Sequence, residues 1–175
     1  MIINNIFSNK FNRIFTVAEI GINHNGKLQN AIRLINHAKK AGFSAVKFQF
    51  YKPDLLLKKN TPLAIYQKKT NFSNMYEMLK KFSLSNQQLF KLKNHCDNIK
   101  IEFMATPFDN ESANYLNKLG VKIFKVSSGD LNNYILLRHL KKFNKPIIIS
   151  TGMSSIRDLK ETINKIRFKK NKLGI

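Results

Sequence analysis

The chain has 175 residues, of which 43% are hydrophobic, and this is enough apolar material for one domain with its own core. Its single cysteine, Cys96, excludes an intrachain disulfide and favours a reducing compartment, and its apolar runs are too short to cross a bilayer. We therefore expect a cytoplasmic protein without a membrane span.

The formal net charge of +21 has two interpretations. A protein that binds nucleic acid or an anionic membrane would carry such an excess of lysine. A general bias of composition towards Lys, Asn and Ile would produce the same charge, and the lysines here are spread along the chain in blocks no longer than a pair. Because no arginine-rich arm or zinc-finger spacing accompanies them, we favour the compositional bias.

Short apolar strands alternate with amphipathic helices along the sequence. Ser85 and Gln88 have the spacing of a capping box, and Asp109 is expected to cap the next helix. The predicted strands are 15–20, 45–50, 101–105, 122–127 and 146–150. The predicted helices are 27–41, one from Ser85, one after Asp109, 132–143 and 155–168.

Three segments lie outside this alternation. Residues 1–13 alternate Ile and Phe with Asn and Lys, without the continuous apolar core of a signal peptide, so we interpret them as an N-terminal extension. Residues 51–84 form a long polar insertion, and loops of this length are usually functional or carry a small helix. Residues 169–175 are interpreted as a basic tail without a sixth strand, which leaves one domain over 14–168.

Five β-α units in succession indicate a parallel sheet with right-handed crossovers, either a doubly wound open sheet or part of a (β/α)8 barrel. The first strand is not followed by a Gly-rich dinucleotide loop, and there is no Walker-type loop. Barrels hold their chemistry at the carboxyl ends of the strands. We therefore predict an α/β fold, an incomplete TIM barrel of about five of the eight units. Polar residues occur at these strand ends: Glu19, Gln49, Thr106, Ser128 and Ser150.

Two lysines stand inside apolar strands. Alternation puts Lys47 and Gln49 on one face of their strand, and Lys125 and Ser127 on one face of theirs. Outward-facing lysines would extend into solvent, but a parallel strand covered by helices leaves little room for that. An unpaired buried ammonium is costly. We therefore predict that both lysines meet at one site for a phosphate or a carboxylate.

The remaining candidates are less specific. Glu19 could serve as a general acid or base at the barrel mouth, or only as a surface or capping carboxylate. His24 could be a ligand or a proton carrier, although its Asn-His-Asn-Gly context is a turn signal by itself. Cys96 is expected to fill the core. No cluster has metal-ligand spacing, and three histidines on predicted helices are interpreted as structural: His37, His95 and His139.

Five motifs occur along the chain and together cover about residues 14–166. They are AEIGINHNG at 18–26, VKFQ at 46–49, ATPF at 105–108, KVSSGD at 125–130 and KPIIISTGM at 145–153. Their order and spacing resemble those of the sialic acid synthase family, the synthases of N-acetylneuraminate, legionaminate and pseudaminate.

The resemblance implies a TIM-barrel synthase that condenses phosphoenolpyruvate with the open-chain aldehyde of an N-acyl hexosamine. C3 of phosphoenolpyruvate would attack the aldehyde, water would add at C2, and the tetrahedral intermediate would expel phosphate. A divalent metal, Mn2+ or Mg2+, would orient the aldehyde and the water. The full-length enzyme would be a homodimer.

The resemblance also assigns roles by matching position. Glu19 would bind the sugar or the attacking water, and Asp130 stands near the substrates, where many relatives carry glutamate; both are candidate catalytic residues. Asn23 and His24 are candidates for contacting the sugar. Six residues would form the phosphoenolpyruvate site: Lys47, Gln49, Thr106, Lys125, Ser128 and Ser150.

Length is where this chain departs from the family. Family members continue through the remaining β-α units of the barrel, and these contain the histidine ligands of the metal, so no metal ligand is expected within this chain. We therefore expect the N-terminal portion of such a synthase. One alternative is a truncated chain without activity alone, and another is a basic module that binds nucleic acid. Synthases of octulosonate or heptulosonate phosphates would need more basic residues for the sugar phosphate, and the Asn-His-Asn-Gly turn favours the sialic acid branch.

Overall fold

A computed structural model describes residues 14–65, 71–169 and 172–175. The predicted extension at 1–13 lies outside the described residues. In the described part, six strands form one parallel sheet in the order in which they follow along the chain, as in a (β/α)8 barrel. The strands are β1 Val17–Gly21, β2 Ala45–Phe50, β3 Glu102–Pro107, β4 Phe124–Val126, β5 Ile147–Ile149 and β6 Leu173–Gly174.

Helices connect the strands and cover one face of the sheet. Ser85 and Gln88 form the predicted capping box, and the Asp109 side chain accepts a hydrogen bond from the Ser112 amide, so both predicted helix starts are confirmed. The long helices are α1 Leu28–Lys40, α4 Asn86–Asn98, α5 Asn110–Lys118, α6 Tyr134–Lys142 and α7 Ile156–Ile166. None of the helices in the described ranges is long and apolar enough to cross a membrane.

The insertion after β2 carries two helices, as its length suggested. They are α2 Pro53–Leu56 and α3 Met75–Phe82, and residues 66–70 between them are outside the described part. Tyr76 of α3 donates a hydrogen bond from its hydroxyl to the Asp54 carboxylate of α2 at 2.7 Å. The two short helices are thereby held against each other at the carboxyl end of β2.

The prediction of a tail without a sixth strand was wrong. Leu173 and Gly174 pair in parallel with Ile147 and Ile148 of β5. A strand of two residues has no alternation of its own, so its sequence carries no strand signal. The sheet therefore contains one strand more than the five that the sequence predicted.

The two faces of the sheet have different neighbours. The outer face packs against the helices in a large apolar core that includes Phe48 and Phe103, whose rings stack at 5.5 Å. The inner face has a small apolar cluster of Ala45, Met104 and Ile123. Since side chains alternate along each strand, the residues two positions further along the chain, Lys47, Thr106 and Lys125, face the same inner side as this cluster.

Candidate active site

A cavity of about 230 Å³ opens on the inner side of the sheet, at the carboxyl ends of β1 to β5. It lies directly beyond the small inner cluster, because Lys47 is two residues after Ala45 and Thr106 is two residues after Met104, which places each pair on the same face of its strand. Its lining consists of Glu19, Lys47, Gln49, Thr106, Phe108, Lys125, Ser127, Ser128 and Ser150. The structure thus brings Lys47 and Lys125 to one cavity, and the anion that they would bind stays a prediction.

Lys47 is the more enclosed of the two cations, with a side chain only 8% exposed. In the sheet, Lys47 is paired with Glu19 of β1 and Met104 of β3. Its Nζ lies 2.7 Å from Oε2 of Glu19 and 3.4 Å from the hydroxyl oxygen of Thr106. The buried ammonium therefore has one charged and one neutral partner.

Lys125 has only neutral partners among the described residues. Its Nζ donates to the Ser150 hydroxyl and, at 3.0 Å, to the carbonyl of Val126. Burial lowers the pKa of Lys125, the nearby charge of Lys47 lowers it further, and Glu19 opposes the shift. The charged form of Lys125 would consequently gain from an anion placed between the two lysines.

The charges and donors of the cavity fit an anionic guest. Two ammonium groups and one carboxylate line it, which leaves an excess of positive charge. Ser127, Ser128, Ser150 and Thr106 add hydroxyl groups, the neutral donors that commonly bind phosphate and carboxylate oxygens. Such an arrangement can hold a small molecule with two separate anionic groups.

Other cavities of the described part lack this combination. A groove of about 640 Å³ between α6 and α7 is lined by cations at the exposed helix ends, and the lining includes no hydroxyl-bearing side chain. A groove of about 300 Å³ beside β1 is mainly apolar and is shared by α1. We therefore regard the inner cavity as the functional site, although it is smaller than either groove.

Three predicted site residues are not in the cavity lining. Asn23 lies in the apolar groove beside β1. His24 is fully buried on the outer side, where its ring lies 5.9 Å from that of Phe48 and its Nδ1 accepts a hydrogen bond from the Gly26 amide at 3.0 Å. Asp130 accepts a hydrogen bond from the Asn133 side chain at 3.1 Å, and burial raises its pKa. The roles assigned to these residues remain predictions.

Two lining residues, Phe108 and Ser127, are absent from all the predicted site residues. Both could be found by alternation, since Phe108 is two residues after Thr106 and Ser127 is two after Lys125. Phe108 also contacts the ring of Tyr51 edge-on, with the ring centres 6.0 Å apart, and so connects the cavity wall to the insertion.

Cys96 and the helical histidines lie apart from the cavity. Cys96 is buried in the outer core, and burial raises its pKa to about 12, which does not suit a nucleophile. His95 of α4 contacts Asn36 of α1 at 2.7 Å, and His139 of α6 contacts Asn114 of α5 at 2.7 Å. These contacts bridge neighbouring helices, in agreement with the structural role predicted for these two histidines.

Comparison with known proteins identifies the family of this chain. Residues 34–174 match the NeuB family. The chain belongs to the NeuB family. Among curated members, it is 41% identical over 155 residues to the N,N'-diacetyllegionaminic acid synthase of Legionella pneumophila, which covers 87% of this chain and 44% of that protein. It is 35% identical over 172 residues to the N-acetylneuraminate-9-phosphate synthase of Drosophila melanogaster, with coverage of 95% and 45%.

A solved structure of the NeuB type has the same fold. The N-acetylneuraminic acid synthetase of Leptospira borgpetersenii, in complex with citrate, superimposes with a TM-score of 0.80 at 30% identity, over 93% of this chain and 53% of that one. A heptonate aldolase of Thermotoga maritima shares the fold alone, with a TM-score of 0.64 at 14% identity. The chain spans less than half the length of the curated relatives named above.

Proposed function

We propose that this chain carries the phosphoenolpyruvate site of a NeuB-type synthase, which joins phosphoenolpyruvate to the aldehyde of an N-acyl hexosamine and releases phosphate. The observation that supports it best is the convergence of Lys47 and Lys125 on one cavity with an excess of positive charge. Phosphoenolpyruvate carries a phosphate and a carboxylate a few bonds apart, which is the charge pattern that two separated ammonium groups accept.

In this proposal, the lining residues bind and orient the two anionic groups. Lys47 and Lys125 supply the charge, while the hydroxyls of Thr106, Ser128 and Ser150 donate hydrogen bonds, and Gln49 borders the same space. Held in this way, phosphoenolpyruvate would present C3 to the sugar aldehyde. As phosphate leaves, the same ammonium groups would stabilise its developing charge.

Glu19 is the acidic residue of the cavity lining and is proposed to contact the sugar or the water that adds at C2. Asp130 keeps a proposed role near the substrates, although it is not one of the lining residues. Asn23 and His24 keep their proposed sugar contacts, which would require the sugar to extend beyond the cavity. The proposal also includes a cytoplasmic, homodimeric enzyme and a single domain that begins at residue 14 and, with β6, extends beyond the predicted end at residue 168.

The proposed reaction includes a divalent ion, Mn2+ or Mg2+, that would orient the aldehyde and the water. In the residues that the structure describes, no three His, Cys, Asp or Glu side chains lie together as a ligand set. We therefore assign no metal ligand in this part of the chain, and no step above passes through the ion.

Calorimetric titration of phosphoenolpyruvate into the chain tests the proposal. Lys47→Met and Lys125→Met should each weaken binding about tenfold to a hundredfold, since each removes a charge-assisted hydrogen bond. Lys93→Met is the matched control, because Lys93 is also a buried lysine but pairs with Asp97 outside the cavity. Wild-type affinity in both cavity variants would reject the anion site.

Phosphate release separates binding from turnover. The chain is mixed with phosphoenolpyruvate, N-acetylmannosamine and Mn2+, and free phosphate is measured over time. Turnover by the wild-type chain that is lost in Lys47→Met would show that this chain performs the whole reaction and that the reaction depends on the cavity. Binding without turnover would assign only the phosphoenolpyruvate site to them and would support the alternative of a chain inactive by itself.

A further inference from the structure

The carboxylate of Glu19 occupies part of the space that an anionic guest of Lys47 would need. Its Oε2 lies 2.7 Å from the Lys47 ammonium, on the cavity side of the sheet. A phosphate or carboxylate that enters and contacts Lys47 has to share this ammonium with Glu19 or displace it. Because the Lys47 ammonium also contacts the Thr106 hydroxyl, few of its N–H donors remain for an anion that enters the cavity.

The two partners of this ion pair differ in their freedom to move. The Lys47 side chain is 8% exposed, whereas that of Glu19 is 60% exposed. Within the described residues, Glu19 lies on the first strand of the sheet, which pairs with β2 on one side, and this pairing shifts register between Glu19 and Gly21. An exposed carboxylate can rotate towards the solvent at little free-energy cost, whereas the enclosed ammonium has no access to solvent in another orientation.

The two lysines also differ in how they are neutralised. Lys47 has a carboxylate partner, but the partners of Lys125 in the described part of the chain are a hydroxyl and a carbonyl. One anionic group of a guest can therefore bind at Lys125 directly. Its second anionic group has to share the Lys47 ammonium with Glu19 or displace Glu19 from it.

We propose that Glu19 is an exchangeable counter-ion of Lys47, which an anionic ligand displaces from the ammonium when it enters the cavity. The released carboxylate then becomes free to contact the sugar or the attacking water, which is the role proposed for it above. This inference rests on the proposed function, since it takes the cavity to be the site of an anionic substrate. It explains why a site for anions contains a carboxylate beside its most buried cation.

Titration with inorganic phosphate tests the displacement. Glu19→Gln keeps the size of the side chain but removes the competing charge, so phosphate should bind about threefold tighter or more, the range expected for loss of a partly exposed ion pair. Glu102→Gln is the matched control, because Glu102 forms a 2.8 Å ion pair with Lys122 at the opposite end of the strands. Its affinity should stay at the wild-type value.

A double variant distinguishes displacement from simple repulsion. If Glu19 acts by occupying Lys47, then Glu19→Gln should have no effect on phosphate binding in a Lys47→Met background. Tightening that persists there would show long-range repulsion and would overturn the inference. Circular dichroism of each variant checks that the chain remains folded, and Glu19→Ala repeats the test with a second side chain.

The outcomes separate the two proposals. Wild-type affinity in both Lys47→Met and Lys125→Met would reject the anion site and the proposed function with it, whereas wild-type affinity in Lys47→Met alone would reject only the exchange of Glu19. Weaker binding in Lys47→Met together with unchanged or weaker binding in Glu19→Gln would leave the anion site intact and reject only the exchange of Glu19. Weaker phosphate binding in Lys47→Met together with tighter binding in Glu19→Gln would support both the anion site and the exchange of Glu19.

Discussion

On β3, Phe103 belongs to the core beneath the helices, whereas Thr106 lines the cavity on the opposite side. The outer face of the sheet is continuous apolar packing, and its aromatic rings stack across strands. The inner face is apolar only at the amino ends of the strands and becomes charged at their carboxyl ends. The same strands thus provide stability on one side and binding on the other, because alternate residues point to opposite faces and each face can have its own composition.

Removal of a large outer side chain should give the largest loss of stability. Phe103→Ala is expected to reduce the free energy of unfolding by about 3–5 kcal/mol, since Phe103 is 1% exposed and stacks on Phe48. Urea unfolding followed by circular dichroism measures the change. Lys125→Met is the inner-face counterpart and should not lower stability, because burial already disfavours the charge that it removes. Equal losses in both variants would contradict the division between the two faces.

Gly26 lies in the loop between β1 and α1, and its replacement should give the next largest loss of stability. Gly26 has a φ of +72°, and a Cβ there would lie 2.2 Å from the carbonyl oxygen of Lys81 at the end of α3. Gly26→Ala should therefore cost about 2–4 kcal/mol, from the backbone strain together with the clash. The measurement is again urea unfolding.

Gly42→Ala supplies the reference for this substitution. Gly42 has a similar φ of +82° but open space around its Cβ position, so only the strain of about 1 kcal/mol is expected. The difference between the two variants reports the contact of the loop with α3. A cost for Gly26→Ala no greater than that for Gly42→Ala would show that this contact is loose.

The smallest effect is a change in the pH dependence of stability, carried by His24 on the outer side. Burial lowers the pKa of His24 below 6.5, so between its folded and unfolded pKa values the unfolded chain binds a proton that the folded chain does not. His24 therefore makes stability decrease as the pH falls below about 6.5, and its effect is absent well above that pH. His24→Asn keeps an acceptor for the Gly26 amide and should flatten the decrease between pH 7 and 5.

Thermal unfolding at a series of pH values measures this slope. His37→Asn is the control, since His37 is exposed on α1 and its side chain is not enclosed as that of His24 is. An unaltered slope in His24→Asn would mean that the fold admits the charged imidazole.

Several features were predictable because they depend on neighbours along the chain. The capping box at Ser85 and Gln88 and the N-cap at Asp109 are local hydrogen bonds, and the alternation of β2 produced its bounds without error. The convergence of Lys47 and Lys125 also followed from local rules, since parallel strands bring their carboxyl ends to one edge. The family resemblance depended on the same short motifs.

Other features depended on contacts between distant segments. β6 exists only because Leu173 meets Ile147 of β5, and its two residues have no pattern of their own. His24 is buried against Phe48, which its turn context did not indicate. The Glu19 carboxylate is placed beside Lys47 by the pairing of β1 with β2. The sequence by itself determined which residues alternate, where helices begin and which end of the sheet is polar, since these follow from local geometry. Only the tertiary structure decided which polar groups are partners and which are enclosed, because burial and ion pairing depend on distances between strands that local patterns do not encode.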